Sequence, residues 1–98
     1  MPLKVRRLPQ AVEDLHEIWL NIAVDNERAA NRQVERFYAA EDLIADFPEV
    51  GEARPDLGPG FRKWTVGSYV MVYKVETKTI AIIRILHGAR DRSANFDD

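Results

Sequence analysis

The sequence contains no cysteine among its 98 residues. Disulfides, thiolate nucleophiles and thiolate metal sites are therefore excluded, and nothing indicates an oxidising compartment. Long hydrophobic runs are missing too, so neither a signal peptide nor a membrane span is predicted. We expect a soluble, cytoplasmic protein that has no contact with a membrane. Its length predicts a single domain, residues 1–98, with one hydrophobic core.

Recognisable ligand motifs are also missing. Glycines and prolines gather between residues 48 and 60, but their spacing matches neither a P-loop nor a dinucleotide-binding fingerprint. No pair of histidines or carboxylates has metal-ligand spacing. We therefore predict no metal and no cofactor. Because the net charge is −2 and no DNA-recognition motif is present, we also predict no direct, specific DNA binding.

Charge is unevenly distributed along the chain. Residues 10–50 carry ten acidic side chains against three arginines, whereas residues 51–92 carry eight basic side chains against four acidic ones. One explanation is that helices in the acidic half simply expose solvated carboxylates. The other is that the two halves face different partners.

Hydrophobic periodicity predicts a strand followed by two helices. Residues 3–8 alternate apolar and basic side chains, as an edge strand does. Pro9 ends this strand, and apolar residues at spacings of three and four predict a helix over residues 10–23. The polar residues expected on its outer face are Glu13, Asp14, Glu17 and Asn21. A second helix is predicted over residues 27–46, capped by residue 25 or 26, and the short break predicts an antiparallel hairpin.

The second half of the chain predicts three consecutive strands. They cover residues 61–66, 69–75 and 80–87, with tight turns between them. The fold class is therefore α+β, in the order β-α-α-β-β-β, with a helical hairpin and a three-stranded antiparallel meander. Because the two helices can cover only one face of such a sheet, we expect the other, largely apolar face to be open or covered by a partner.

The last predicted strand contains an arginine among apolar residues. Strict alternation predicts two faces, one with Ile80, Ile82, Arg84 and Leu86 and the other with Ala81, Ile83, Ile85 and His87. The second row has the unbroken apolar series Ala81, Ile83 and Ile85, so we predict that it packs against the helices. Arg84 is therefore expected to point to the uncovered face. Because an unpaired buried guanidinium is costly, Arg84 must meet an acidic partner, a phosphate or water.

Several local patterns occur together in this order of elements. They are Ala11-x-x-Asp14-Leu15-x-x-Ile18-Trp19, Ala29-Ala30, Phe47-Pro48-x-x-Gly51, Gly60-Phe61-Arg62-Lys63, Val66-Gly67-Ser68-Tyr69-Val70-Met71-Val72-Tyr73 and Ile83-Arg84-Ile85-Leu86-His87-Gly88-Ala89-Arg90-Asp91. In this combination the chain resembles the ParE branch of the ParE/RelE superfamily of bacterial type II toxins. The resemblance spans nearly the whole sequence.

The resemblance implies a toxin that poisons DNA gyrase, blocks replication and is not itself an enzyme. It also implies a ParD-like antitoxin that binds the toxin in a hetero-oligomer and neutralises it. The residues predicted to contact that antitoxin are Arg62, Trp64, Met71, Tyr73, Ile82, Arg84 and Leu86. The residues predicted to contact the target are Arg84, His87 and Arg90.

RelE-like relatives cut messenger RNA in the ribosomal A site, and this activity is the alternative. Metal-independent RNA cleavage needs a base, an acid and cations. The residues available for it are Arg62, Arg84, His87 and Arg90, with Tyr69 or Tyr73 as a hydroxyl. RelE-like enzymes commonly have a denser basic cluster and a tyrosine near the C-terminus. The segment after His87 has no tyrosine, so gyrase poisoning is the favoured prediction, and purely structural roles for Arg84 and His87 stay open.

Overall fold

The computed structural model describes residues 2–88 and confirms the predicted α+β order. The elements are β1 (Lys4–Arg7), α1 (Pro9–Ala23), α2 (Glu27–Asp46), β2 (Glu52–Ala53), a short 3-10 helix (Pro55–Leu57), β3 (Phe61–Val66), β4 (Tyr69–Val75) and β5 (Thr79–His87). The segment predicted as a loop, residues 48–60, thus contains a two-residue strand and the 3-10 turn. None of the described helices is long and apolar enough to cross a membrane.

The five strands form one sheet in the order β1-β5-β4-β3-β2. Strand β1 lies at one edge and pairs in parallel with β5. The other three pairs, β5–β4, β4–β3 and β3–β2, are antiparallel. The parallel pair arises because α1 and α2 together carry the chain from one end of the sheet back to the other. The edge position predicted for the first strand is confirmed.

Local signals explain where the helices begin. Pro9 occupies the first turn of α1, where its missing N–H leaves no intrahelical bond unmade. Asn26 caps α2, because its Oδ1 accepts a hydrogen bond from the Ala29 amide at 3.0 Å. The two helices are also tied side by side, since Trp19 Nε1 donates to Asn31 Oδ1 at 2.8 Å.

The core lies between the helical hairpin and one face of the sheet. Phe37 and Ile44 of α2 are fully buried against Met71 and Tyr73 of β4. The remaining fully or almost fully buried members of this cluster are Ala11, Ile80, Ile82 and Ile85. Burial of these large side chains supplies most of the favourable free energy of folding.

A β-bulge changes which residues of β5 face the helices. Tyr73 pairs with Ile82, but the next residue, Val72, pairs with Arg84, so Ile83 is the extra residue. Ile80 and Ile82 consequently face the core before the bulge, and Ile85 faces it afterwards. The expectation from strict alternation, with Ile80 and Ile82 on the uncovered face, is therefore wrong.

Two other sequence expectations about burial are corrected. Asp14, assigned to the outer face of α1, is only 5% exposed, whereas Val12 and Phe47, assigned to the apolar faces, are 50% and 63% exposed. The predicted open face of the sheet is not solvent-exposed where its apolar residues lie. Those residues are Val70, Val72, Ala81 and Leu86, none of which is more than 6% exposed.

Candidate functional site

Arg84 of β5 forms a two-pronged ion pair with Asp14 of α1. Its Nε donates to Asp14 Oδ2 at 2.7 Å and its Nη2 donates to Oδ1 at 3.1 Å. This paired geometry is the strong form of an arginine–carboxylate contact. The hydrogen bonds that Arg84 donates to Asp14 raise the pKa of its guanidinium above the usual value, against the lowering effect of burial. Arg84 therefore meets the acidic partner that its position required. It pairs with Val72, on the face away from the core cluster, as expected, and its guanidinium reaches Asp14 of α1 beyond the end of the β1 pairing.

The position of Asp14 follows from the strand pairing. Strand β1 pairs with β5 only as far as Ile82, so later residues of β5 have no strand on that side. The amide of Ile85 instead donates to Asp14 Oδ2 at 3.0 Å. One buried carboxylate thus accepts hydrogen bonds from two donors, the Ile85 amide, which has no strand partner on that side, and the guanidinium of Arg84.

A second arginine–carboxylate pair joins the other helix to the sheet. Arg7 of β1 donates from Nε to Glu41 Oε2 at 2.7 Å and from Nη2 to Oε1 at 2.6 Å. Glu41 is 4% exposed, and the Arg7 guanidinium also lies 4.8 Å from the centre of the Tyr38 ring. The contact with Glu41 raises the pKa of Arg7. Each helix is therefore fixed to the sheet by one ion pair.

Arg62 and Tyr73 hold the segment that follows α2. The Tyr73 hydroxyl donates to the Pro48 carbonyl at 2.8 Å and accepts from the Gly51 amide at 2.9 Å. Arg62 Nη1 donates to the Gly51 carbonyl at 2.7 Å and to the Glu49 carbonyl at 3.3 Å. A Cβ on Gly51 would lie 2.6 Å from the Tyr73 hydroxyl, so only glycine fits this close approach. Burial raises the pKa of Tyr73, so its hydroxyl stays a donor at neutral pH.

His87 lies at the exposed end of β5, beside a shallow concave surface of about 400 Å³. Its ring contacts Tyr69 edge-to-face, with centroids 5.5 Å apart, and Tyr69 contacts Phe37 in the same way at 5.5 Å. The residues that line the surface are Asp14, Glu17, Ile18, Asn21, Tyr69, Ile85, Leu86 and His87. Among the described residues that line it there are carboxylates and an amide, but no arginine or lysine. Asp14 connects this surface to the Arg84 ion pair.

Most residues predicted to contact an antitoxin lie inside the structure. Met71, Tyr73 and Ile82 are fully buried, and Leu86 is 3% exposed. The expectation that Ile82 lies on the uncovered face is wrong, and Met71 and Tyr73 face the helices together with it. Trp64 is half-buried, packs against the core and lines a surface groove with its neighbours on β3.

The residues predicted for RNA cleavage are not assembled in the described part of the chain. Arg62 pairs with Tyr73 and His87 pairs with Tyr69, so they lie four residues apart along β4. That separation is roughly 13 Å at the rise of a β-strand. Arg62 and Arg84 are both committed to oxygen atoms of the protein, and Arg90 lies outside the described residues. Within residues 2–88, no group of three histidine or carboxylate side chains is arranged to hold a metal.

The two buried carboxylates were missed at the sequence level. Asp14 lies three residues after Ala11 and four before Ile18, both of which are buried. Glu41 likewise lies three residues before Ile44 and four after Phe37. A carboxylate at helical spacing within an apolar series is the signal that would have found both.

Sequence comparisons identify similar proteins over most of the chain. The profile described as "ParE toxin of type II toxin-antitoxin system, parDE" matches residues 5–92. Toxin ParE1 of Mycobacterium tuberculosis is 33% identical over 93 residues, covering 90% of this chain and 92% of the relative. Toxin ParE3 of Caulobacter vibrioides is 28% identical over 84 residues, covering 85% of this chain and 84% of the relative.

Solved structures share the fold. A chain of the chromosomal ParDE system from P. aeruginosa matches with a TM-score of 0.73 and 23% identity, covering 87% of this chain and 95% of that one. A chain of the RelBE2 toxin–antitoxin complex from Mycobacterium tuberculosis matches with a TM-score of 0.64 and 25% identity, covering 89% and 99%. Because systems of both kinds share this fold, the side chains must separate the two predicted activities.

Proposed function

Because this chain belongs to the ParE toxin family of type II toxin–antitoxin systems, we propose that it poisons DNA gyrase and so blocks replication. The observation that carries the proposal is the use of Arg84 and Arg62. Both have the charge that a phosphate-cleaving site needs, yet Asp14 binds one and backbone carbonyls bind the other. A toxin that acts by binding an enzyme does not require such cations to converge.

The chemistry of RNA cleavage supports the same choice. Attack of a 2′-hydroxyl on the neighbouring phosphodiester is accelerated when cations lie where negative charge develops. The concave surface beside His87 is instead lined by Glu17, Asn21 and the carboxylate of Asp14. The carboxylate of Asp14 is already paired with Arg84, but that of Glu17 would repel the developing charge on a phosphate, so the surface favours a protein target over an RNA backbone.

The target contact is proposed at this end of the sheet. His87 is exposed and backed by Tyr69, which in turn packs on Phe37, so the imidazole is presented on a rigid support. Arg84 keeps 28% of its side chain exposed despite its ion pair with Asp14. These two residues and Arg90, which lies outside the described residues, form the proposed gyrase contact.

A protein antitoxin of the ParD type is the proposed partner. The structural neighbours come from toxin–antitoxin systems, one named ParDE and one named a RelBE2 complex. Of the residues first predicted for that contact, Arg62, Trp64 and Arg84 retain surface in this structure. The antitoxin is proposed to cover them in the hetero-oligomer.

Induction of the protein in cells without its antitoxin tests the proposal. Gyrase poisoning predicts filamentous cells, a DNA-damage response and continued incorporation of labelled amino acids in the first minutes. Co-expression of the antitoxin should restore growth, which provides the control. Prompt arrest of amino-acid incorporation, with cleaved messenger RNA, would contradict gyrase poisoning and favour the RelE-type activity.

A further inference from the structure

The outer side of α2 carries a groove that the proposed target contact does not use. Its volume is about 660 Å³, and it is lined by Ile22, Ala29, Arg32, Gln33, Glu35, Arg36 and Ala39. The floor consists of small or half-buried apolar residues, and the charged residues are exposed at its rim. The groove follows α2 over nearly three helical turns.

The two arginines of this groove have no internal partner. Within the part of the chain that the structure describes, neither Arg32 nor Arg36 forms an ion pair, although Arg7 and Arg84 both do. They lie four residues apart on one helix, so their side chains are neighbours on the same face. Arg36 reaches the turn between β3 and β4, where its Nη1 lies 3.6 Å from the position of a Cβ on Gly67.

A hydrogen-bond donor lies between the two arginines. Gln33 Nε2 is buried and, among the described side chains, is the one buried polar atom without a hydrogen-bond partner. Burying an amide donor without an acceptor costs free energy unless a ligand supplies the acceptor. The two guanidinium groups offer exposed donors to one kind of ligand, a carboxylate, and the Gln33 amide gains an acceptor there by turning outward.

We propose that this groove binds an acidic amphipathic segment of the antitoxin, with carboxylates about one helical turn apart facing Arg32 and Arg36. Small apolar side chains of the segment would contact Ile22, Ala29 and Ala39. The acidic groups match the two unpaired charges, and the apolar floor matches a protein segment better than a sugar–phosphate chain. Glu35 at the rim supports this choice, because it repels a continuous polyanion more than a pair of spaced carboxylates.

The inference rests on the proposed antitoxin partnership and adds the surface that the partner uses. It is tested with the 98-residue chain and a purified ParD-like protein, the proposed antitoxin. The variant is Arg32→Glu/Arg36→Glu, and the control is Lys4→Glu/Lys78→Glu, which makes the same change in net charge at two exposed lysines on β1 and the turn before β5. Circular dichroism and thermal unfolding establish that each variant is folded.

Calorimetric titration should show that Arg32→Glu/Arg36→Glu weakens antitoxin binding on the order of 100-fold, as loss of two charge-assisted contacts does. The control should stay within about threefold, and higher salt should weaken the wild type more than the variant. Equal binding by the variant and the wild type would overturn the assignment of this groove. Equal weakening by the control would show only a net-charge effect and would overturn it as well.

Two further outcomes distinguish failure of the antitoxin partnership from failure of the groove assignment. If the wild-type protein itself fails to bind the antitoxin, the proposed partnership fails, and this inference fails with it. If the wild type binds a 20-base-pair DNA duplex through these arginines, so that Arg32→Glu/Arg36→Glu abolishes DNA binding and leaves antitoxin binding unchanged, a nucleic acid replaces the protein segment as the occupant. Failure at the variant alone leaves the partnership intact and refutes only the groove.

Discussion

The arginines of the sheet and those of α2 are used in opposite ways. Arg7 and Arg84 extend from strands and are held in two-pronged contacts by Glu41 and Asp14, carboxylates that are at most 5% exposed. The arginines at the rim of the α2 groove are exposed and unpaired within the described chain. The presence of a buried carboxylate on the facing helix decides which arginines stabilise the fold. Arg84, which stays 28% exposed, does so and is also proposed to contact a partner, whereas the two arginines of the α2 groove are left for partner binding alone.

This difference separates stability from recognition. Loss of one member of a buried ion pair leaves a charge without its partner, which is strongly destabilising. Loss of an exposed, unpaired charge changes the folded protein little, but it removes a contact from any acidic partner. Substitutions in the two sets should therefore affect different measurements, and four predictions follow this order of effect.

The largest expected loss comes from Asp14→Ala. The substitution leaves the Arg84 guanidinium without its carboxylate and the Ile85 amide without an acceptor, which should lower the free energy of unfolding by about 3 kcal/mol. Urea denaturation measures the change. Glu13→Ala, an exposed neighbour, is the control and should stay within about 0.5 kcal/mol. Equal effects of the two substitutions would remove the distinction between paired and solvated charges.

Glu41→Ala should have a smaller effect. The side chain of Arg7 is 35% exposed, so its guanidinium regains water when the carboxylate is lost. Loss of hydrogen bonds to a charged group then costs about 2 kcal/mol. The same denaturation experiment applies, with Asp42→Ala at the next, exposed position as the control. If Glu41→Ala lowered the free energy of unfolding more than Asp14→Ala, exposure of the paired arginine would not determine which substitution is the more destabilising.

Tyr73→Phe tests how much a neutral hydroxyl contributes to stability, compared with the two ion pairs, by fixing the segment that follows α2. The Gly51 amide and the Pro48 carbonyl would lose their partner, at a cost of about 1.5 kcal/mol. Because burial raises the Tyr73 pKa above its ordinary value of 10.0, the folded state keeps this proton while the unfolded state loses it. The contribution of Tyr73 to the free energy of unfolding is therefore fully present below pH 10.0 and decreases as the pH rises further.

The pH dependence of unfolding above pH 10.0 gives the measurement for Tyr73. Wild-type stability should fall more steeply with pH than that of Tyr73→Phe, which has no ionisable group at this position. Parallel curves for the wild type and Tyr73→Phe would show that the buried hydroxyl does not contribute to alkaline unfolding.

The smallest effect on stability is expected for Arg32→Ala/Arg36→Ala. Neither side chain has a partner in the described structure, so the free energy of unfolding should change by less than about 0.5 kcal/mol. Thermal unfolding in low and high salt checks this. A loss of several kcal/mol, at the level of Asp14→Ala, would mean that these arginines stabilise the fold and would erase the contrast with Arg84.

The sequence was sufficient for the elements but not for the charged contacts. Periodicity located both helices and four of the five strands because burial repeats along the chain at 3.6 or 2 residues. It misassigned Ile80 and Ile82 because a bulge at Ile83 shifts the period, and no local pattern marks such an insertion. It placed Asp14 outside although the helical spacing of Asp14 from buried apolar residues of α1 indicated burial, and it gave no sign of the partner, Arg84, which lies 70 residues away. Long-range pairing of this kind cannot be read from local spacing.

The central proposal is that this protein poisons gyrase. Purified protein incubated with gyrase, supercoiled DNA and ATP tests this most directly, with the antitoxin added to one sample. The prediction is that linear, cleaved DNA accumulates in proportion to the protein added and that the antitoxin prevents it. Absence of cleaved DNA, in a sample where the same protein stops translation by cutting ribosome-bound messenger RNA, would contradict the claim.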